Sequence, residues 1–222
     1  MGVEGQVVTP ERLSVYSTCS NEVLEDASFP IMEAINESLF ASLGQLLDEA
    51  IFEGTGTSNQ PQGMADLAGS STATSGGTPV DLSYFVEMQE NALTANSSVK
   101  AWATNPKAWG TYMDLQVGGT AGCDLRPLLQ SDANTGGAAL AGNVLGQPLY
   151  VTNNIDALGA GTANMFGFNP QQCWIVRRRQ FRMIRDPFTY AEMGKTRLIL
   201  EGRYSFHVPR PSTVQVATAI TP

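Results

Sequence analysis

The sequence predicts an α+β fold, on three observations. A long helical period runs from Ile31 to Ile51, a clear strand alternation runs through Lys195–Val208, and shorter helix and strand signals lie between them, separated by glycine-rich loops.

Residues 3–20 read as extended, with Pro10 confining that stretch to an edge or a bend. From Asn21 the chain turns helical. Apolar residues recur at Ile31, Ile35, Leu39, Leu43, Leu46/Leu47 and Ala50/Ile51, Ser28 is placed to cap, and Pro30 sits in the first turn, where its missing N–H costs nothing. Gly54 supplies the stop, and Gly56, Pro61 and Gly63 keep the chain out of regular structure. About 22 residues make a rod of roughly 33 Å, long enough to serve as a spine.

Gly54 to Pro79 reads as loop, with Ala65–Gly77 as a small, polar surface excursion. A second helix is expected from Asp81 to about Thr94, on Leu82, Phe85, Val86, Met88, Ala92 and Leu93. Val99–Thr104 reads as a buried strand, and Asn105-Pro106 then starts a third helix that ends by Gly118-Gly119. Gly136–Gly142 is expected to be loop, Val144–Thr152 one strand, and Ala157–Gly167 loop again. Cys173–Arg185 is a long strand candidate. In the strand after it, Leu198, Leu200, Tyr204 and Phe206 fall on one face and Arg197, Glu201, Arg203 and Ser205 on the other. Asp186-Pro187 and Glu192-Met193-Gly194 suit a hairpin tip between the two.

At 222 residues the chain is long enough for one sizeable core or two small lobes. No run approaches the roughly 20 apolar residues of a membrane span, so no membrane partner is expected. Cys19, Cys123 and Cys173 have no paired spacing and read as reduced, mostly buried thiols. The net charge of −8 is unevenly spread: between Leu13 and Val99 there are twelve acids and no base. Residues 1–171 hold four bases against eighteen acids, and residues 172–222 hold nine against three. Either the two segments neutralise each other within one subunit, or acidic and basic faces also meet between identical subunits and make assembly salt-sensitive. Contact candidates on the acidic side are Glu33, Glu37, Asp48 and Glu49. On the basic side they are Arg177, Arg178, Arg179, Arg182, Arg185, Arg197 and Arg203, with Glu201 among them. DNA binding by the arginine run is disfavoured, because no stacking aromatics interleave it and the whole chain repels a polyanion.

Catalysis finds little to build on. His207 is the one histidine, near a strand end, and no Cys/His cluster has metal-ligand spacing, so neither a catalytic residue nor a metal or cofactor is assigned. Gly54–Ser58 invites a phosphate-loop reading, but it lacks the Gly-Lys-Ser/Thr ending and follows a helix. Ser70, Ser71 and Ser75 lack a nucleophile-elbow pattern. Residue chemistry favours a structural protein. An enzyme using the Gly54–Gly63 loop as an anion site is the alternative of another class.

The order of motifs resembles the C-terminal three-quarters of a tailed-phage major capsid protein of the HK97 type. Ser20-Asn21-Glu22-Val23-Leu24-Glu25-Asp26-Ala27 is similar to the family's "S-x-E-L-L-x-D-S", which leads into a spine helix. Leu47–Gly56 is similar to its "D-x-A-x-x-x-G-x-G", and Gln60–Met64 to the "x-P-x-G-I/L" that follows. Trp102–Pro106, Leu145–Leu149 and Phe166-Gly167-Phe168 then fall in the family's order. Six pieces in register are more specific than any one.

The resemblance implies an HK97-like fold of two lobes. A peripheral lobe (residues 1–53 and 172–206) takes the spine helix and long antiparallel strands. An axial lobe (54–171 and 207–222) takes a mixed sheet with flanking helices, and Gly54, Gly56, Pro61 and Gly63 form the hinge. Loops such as Ala65–Gly77 or Gly136–Gly142 would cluster at five- and six-fold axes. The implied function is self-assembly, as pentamers and hexamers, into the icosahedral head of a tailed double-stranded DNA bacteriophage or prophage, built in the bacterial host cytoplasm. Its implied partners are itself, portal and scaffolding or decoration proteins, and encapsidated DNA held without sequence specificity. An encapsulin-like cargo shell is the alternative within the same fold. Two departures from the family stand out. The chain starts on the returning strand of the family's extended loop, the expectation for a truncated fragment or minimal variant that assembles poorly. Glu201 sits where some members promote a Lys–Asn cross-link, but the acceptor position falls on Gly194 or Lys195 and the donor loop is lacking. Glu201 is therefore expected to pair with Arg197 or Arg203.

Overall fold

A computed structural model of the chain describes residues 7–26, 31–57, 60–67, 71–74, 82–114, 140–155 and 163–220. In chain order its first half contains β1 (Glu11–Ser20), α1 (Asn21–Asp26), α2 (Ile31–Glu53), β2 (Ser71–Thr74), α3 (Leu82–Thr94), β3 (Ala101–Thr104) and α4 (Pro106–Asp114). The second half contains β4 (Leu140–Val144), β5 (Gln147–Val151), β6 (Ala163–Phe168), β7 (Trp174–Asp186), β8 (Lys195–His207) and β9 (Gln215–Ile220). The chain divides into two compact units: Met1–Gln62 with Ile175–His207, and Gly63–Trp174 with Val208–Pro222.

The first unit is a three-stranded sheet, in the order β1-β8-β7, with α2 on one face. β1 and β8 pair antiparallel through ten residues, from Glu11 opposite Tyr204 to Ser20 opposite Lys195. Because strand side chains alternate, one face of this pair presents Leu13, Leu198, Leu200 and Tyr204 to Leu39 and Leu43 of α2. Each buried leucine contributes about 2 kcal/mol by removing apolar surface from water. Phe181 of β7 stacks on Tyr204, ring centroids 4.5 Å apart. The stack passes over Gly202, where a β-carbon would lie 2.6 Å from Phe181 Cδ1 and 2.7 Å from Tyr204 Cε2. The spine helix keeps the extent its periodicity predicts, but Asn21–Asp26 forms a short helix of its own. The expected Ser28 cap and Pro30 lie outside the described residues.

The second unit is a six-stranded mixed sheet in the order β2-β9-β6-β3-β5-β4. β2–β9 and β3–β5 are parallel, and the remaining neighbours are antiparallel. Its core is built from Phe85, Met88 and Ala92 of α3 and Ala108 of α4, against Trp102, Val144, Leu149, Met165 and Ala217 of the sheet. Trp102 sits at the centre. Phe85 meets its indole edge-on at 5.3 Å, and its Nε1–H donates to the Val144 carbonyl at 3.2 Å. The Asn105 cap is as expected, since its Oδ1 accepts the Ala108 amide at 2.7 Å.

Four loop or strand expectations are corrected here. Part of the Ala65–Gly77 excursion is strand β2, paired with β9. The expected single strand at Val144–Thr152 is a hairpin: Val144 pairs with Gln147, and Leu145 and Gly146 turn the chain with φ of 49° and 75°. Positive φ at both central residues is the type I′ requirement, which Leu-Gly does not advertise. β4 also takes in Gly142, at the end of the expected Gly136–Gly142 loop; residues 136–139 lie outside the described residues. β6 begins inside the expected loop of Ala157–Gly167, and β9 was not foreseen at all. In both cases the apolar run is short and the sheet, not the local sequence, makes it a strand.

Candidate functional site

Sheet alternation gives the first unit two chemically different sides. On the face of β1 and β8 turned away from α2 lie Arg12, Ser14, Tyr16 and Thr18, opposite Arg203, Glu201, Ile199 and Arg197 respectively. Arg182 of β7 joins them, since it follows the core-facing Phe181.

Glu201 is the centre of this face. Its side chain is 8% exposed, beneath arginines that are 51–61% exposed. Arg12 Nη2 approaches Oε2 at 2.6 Å, Arg182 reaches Oε1 with both Nε and Nη2 at 2.6 Å, and Arg179 Nη1 stands 3.9 Å away. Both Arg182 nitrogens converge on the single oxygen Oε1 as charge-assisted contacts, which leaves Oε2 to Arg12. The hydrogen bond from Arg182, reinforced by the charges of Arg12, Arg182 and Arg179, holds the Glu201 carboxyl below its ordinary value of 4.5.

These partners correct the expectation of Arg197 or Arg203. Arg197 instead lays its guanidinium 3.9 Å over the Tyr16 ring, and Arg203 Nη2 donates to the Pro10 carbonyl at 3.0 Å. Residues two apart on one strand are near neighbours, but the adjacent strands bring β1 and β7 side chains closer still. Arg12 is the site residue that sequence reasoning missed. Its signal was the alternation Arg12, Ser14, Tyr16, Thr18, but only the β1–β8 register sets it beside Glu201.

The other candidates fall as follows. Arg177, Arg178 and Arg185 are exposed along β7, an edge strand open to solvent over most of its length. Arg185 shares the lining of a cavity of about 290 Å³ with Glu25 of α1. Glu33, Glu37, Asp48 and Glu49 are exposed on α2, whose buried side is Leu39, Leu43 and Ala50. The α2 acids therefore lie on one side of the sheet and the arginines gathered around Glu201 on the other, while Arg185 stands on the helix side, beside Met32 of α2.

The Gly54–Gly63 segment is closed on itself. The Gly54 amide donates back to Ala50, Thr55 bridges Gln62, Gly56 takes φ of +66°, and Thr55 bonds Thr57 and Gln60. Pro61 and Gly63 are buried, and the first unit ends at Gln62. Among the described residues no three His, Cys, Asp or Glu side chains are grouped to hold a metal ion. Cys19 and Cys173 are free and half-buried, and Cys123 lies outside the described residues. Burial pushes the Cys173 thiol up to about 11, so it stays protonated at neutral pH. No described helix is long and apolar enough to cross a membrane.

Comparison with known proteins adds the rest. No curated protein sequence matches the chain. The capsid of an empty GTA particle, computed with C5 symmetry, superposes with a TM-score of 0.68 at 16% identity, covering 96% of this chain and 72% of that one. A chain from Microbacterium phage Oxtober96 gives 0.69 at 19%, covering 97% and 73%. The holo-SrpI encapsulin complex from Synechococcus elongatus PCC 7942 gives 0.66 at 8%, covering 96% and 74%. Identities this low establish a common fold, the HK97-like capsid fold. The model of the phage capsid family matches residues 5–219. Two compact units, a spine helix over a long-stranded sheet and a sequence match across nearly the whole chain agree: this protein belongs to the phage capsid family and is a capsid shell protein.

Proposed function

We propose that copies of this chain close into the icosahedral head of a tailed double-stranded DNA bacteriophage or prophage, assembled in the bacterial host cytoplasm. The observation that carries the proposal is the family match over residues 5–219. On this reading residues 1–53 and 172–206 are the peripheral lobe and residues 54–171 and 207–222 the axial lobe, with Gly54, Gly56, Pro61 and Gly63 as the hinge. Pentamers and hexamers form from the same subunit, and the enclosed DNA is held without sequence specificity. A portal, together with scaffolding or decoration proteins, completes the particle. No catalytic step is required: many moderate interfaces close under symmetry.

Charge gives the assembly its conditions. The arginines around Glu201 on one side of the sheet and the α2 acids on the other favour contacts between subunits, and such contacts weaken as the Debye length falls to about 3 Å at 1 M salt. Electron microscopy of the purified protein at low and high salt tests the reading. Rings, capsomers or shells at low salt are expected, and dispersed monomers at every protein and salt concentration would refute it. A cargo shell is the second reading, favoured by the superposition on the SrpI encapsulin. Nuclease-protected DNA inside particles recovered from the host decides for the head, and a co-purifying protein cargo without DNA decides for the cargo shell.

A further inference from the structure

Arg12, Arg179, Arg182 and Arg203 line a cavity of about 380 Å³ on the sheet face away from α2, and Glu201 is the one acid in that lining. Four positive charges therefore surround one negative charge. A carboxylate offers about four acceptor positions and each guanidinium five N–H donors. Glu201 takes Arg12 Nη2 and Arg182 Nε and Nη2, and the Pro10 carbonyl takes Arg203 Nη2. Among the described residues, most of the donors remain for a further acceptor. Glu201 itself acts as a positioning residue, tying side chains from β1 and β7 to a carboxylate on β8. The result is a fixed array of guanidinium forks, the geometry that recognises carboxylates.

The complement is present in the same chain but out of its own reach. Glu33 and Glu37 stand one turn apart on the exposed side of α2, a spacing of about 6 Å. Neighbouring strands carry the arginines at a comparable spacing of about 4.8 Å. Because α2 packs on the opposite face of the sheet, these carboxylates meet a guanidinium array only when a second molecule supplies it. Resting on the self-assembly reading above, we infer that the Arg12–Arg179–Arg182–Arg203 face docks the Glu33–Glu37 stripe of a second copy of this chain. Each copy then offers one acidic and one basic half-site. The contact is head-to-tail and propagates from subunit to subunit.

Sedimentation velocity on the full chain tests this with two variants that each remove two charges. One is Glu33→Gln with Glu37→Gln, at exposed helix positions where the fold is indifferent to the change. The other is Arg12→Gln with Arg179→Gln, which leaves Arg182 on Glu201. Each variant alone is expected to associate at least tenfold more weakly than the wild type while keeping its circular dichroism. A one-to-one mixture is expected to form heterodimers that grow no further, since only one contact per pair is intact. A wild-type chain that stays monomeric overturns both this contact and the shell reading. A wild type that assembles beside an E33Q/E37Q variant that assembles equally well overturns the contact alone, and marks the arginines as a site for some other acidic ligand. A mixture no larger than its components also overturns it. Should the arginine variant fail to fold, the glutamate variant decides by itself.

Discussion

Gly167 faces Trp102 across the β3–β6 pair so closely that a β-carbon on it would lie 2.6 Å from the indole Cζ3 and 3.3 Å from Val99 Cγ1. The indole is fixed on its other sides by Phe85 and by its bond to the Val144 carbonyl, so it has nowhere to retreat. Gly167→Ala should cost about 1–3 kcal/mol, the usual range for overpacking a full core. Thermal unfolding would show the lowered midpoint. Adding Trp102→Phe should recover part of the loss if the clash is the cause, whereas additive losses would show that it is not.

Asn105 caps α4 and is itself buried, so its loss removes both the capping bond and a satisfied polar group. Asn105→Ala should lower stability by about 1–2 kcal/mol, and Asn105→Asp by much less, because the carboxylate still accepts the Ala108 amide. Denaturant titrations of the two variants measure the difference. Equal losses would assign the effect to burial and not to the cap.

Leu145 is held at φ of 49° in the β4–β5 turn while its side chain is 48% exposed. A left-handed conformation costs a residue with a β-carbon about 1–2 kcal/mol, and asparagine tolerates it better. Leu145→Asn should therefore stabilise the protein by up to about 1 kcal/mol. A lowered midpoint in denaturant would mean that the leucine makes a packing contribution larger than the strain.

Glu201 has its carboxyl held below 4.5 by the bond from Arg182 and the charges around it. A folded-state value below the unfolded one means that this stabilisation is complete above the unfolded value and is lost as pH falls through the folded one. Glu201→Gln should be less stable than the wild type near neutrality, with the gap closing as pH drops below about 4. Asp186 keeps part of the acid sensitivity in both proteins. Its carboxyl is lowered by the Thr189 hydroxyl and the Phe188 and Thr189 amides. Chemical denaturation across the acid range measures the gap, and a constant gap would remove Glu201 from the acid response.

What was legible in the sequence follows distance along the chain. α2 announced itself through apolar residues at six successive turns of its period, and the Asn105 cap through one dipeptide, because both are set by bonds within four residues. The division of β8 into an apolar and a charged face was equally legible. The Leu145-Gly146 turn was not, since its chemistry runs against the usual turn residues. β6 and β9 were missed because their short runs become strands only when a sheet supplies their partners.

The amino-acid sequence by itself determined the spine helix, the alternation of the last long strand and the charge imbalance between the two ends of the chain. It also carried the capsid motifs, which fixed the fold. Only the tertiary structure decided that Glu201 belongs to Arg12 and Arg182, and that the arginines around it lie on the side of the sheet away from α2 and its acids. Periodicity is a local property that a strand or helix carries with it. Register is a long-range one, set when residues 11–20 lie down beside 195–204, and that pairing determines which charges meet.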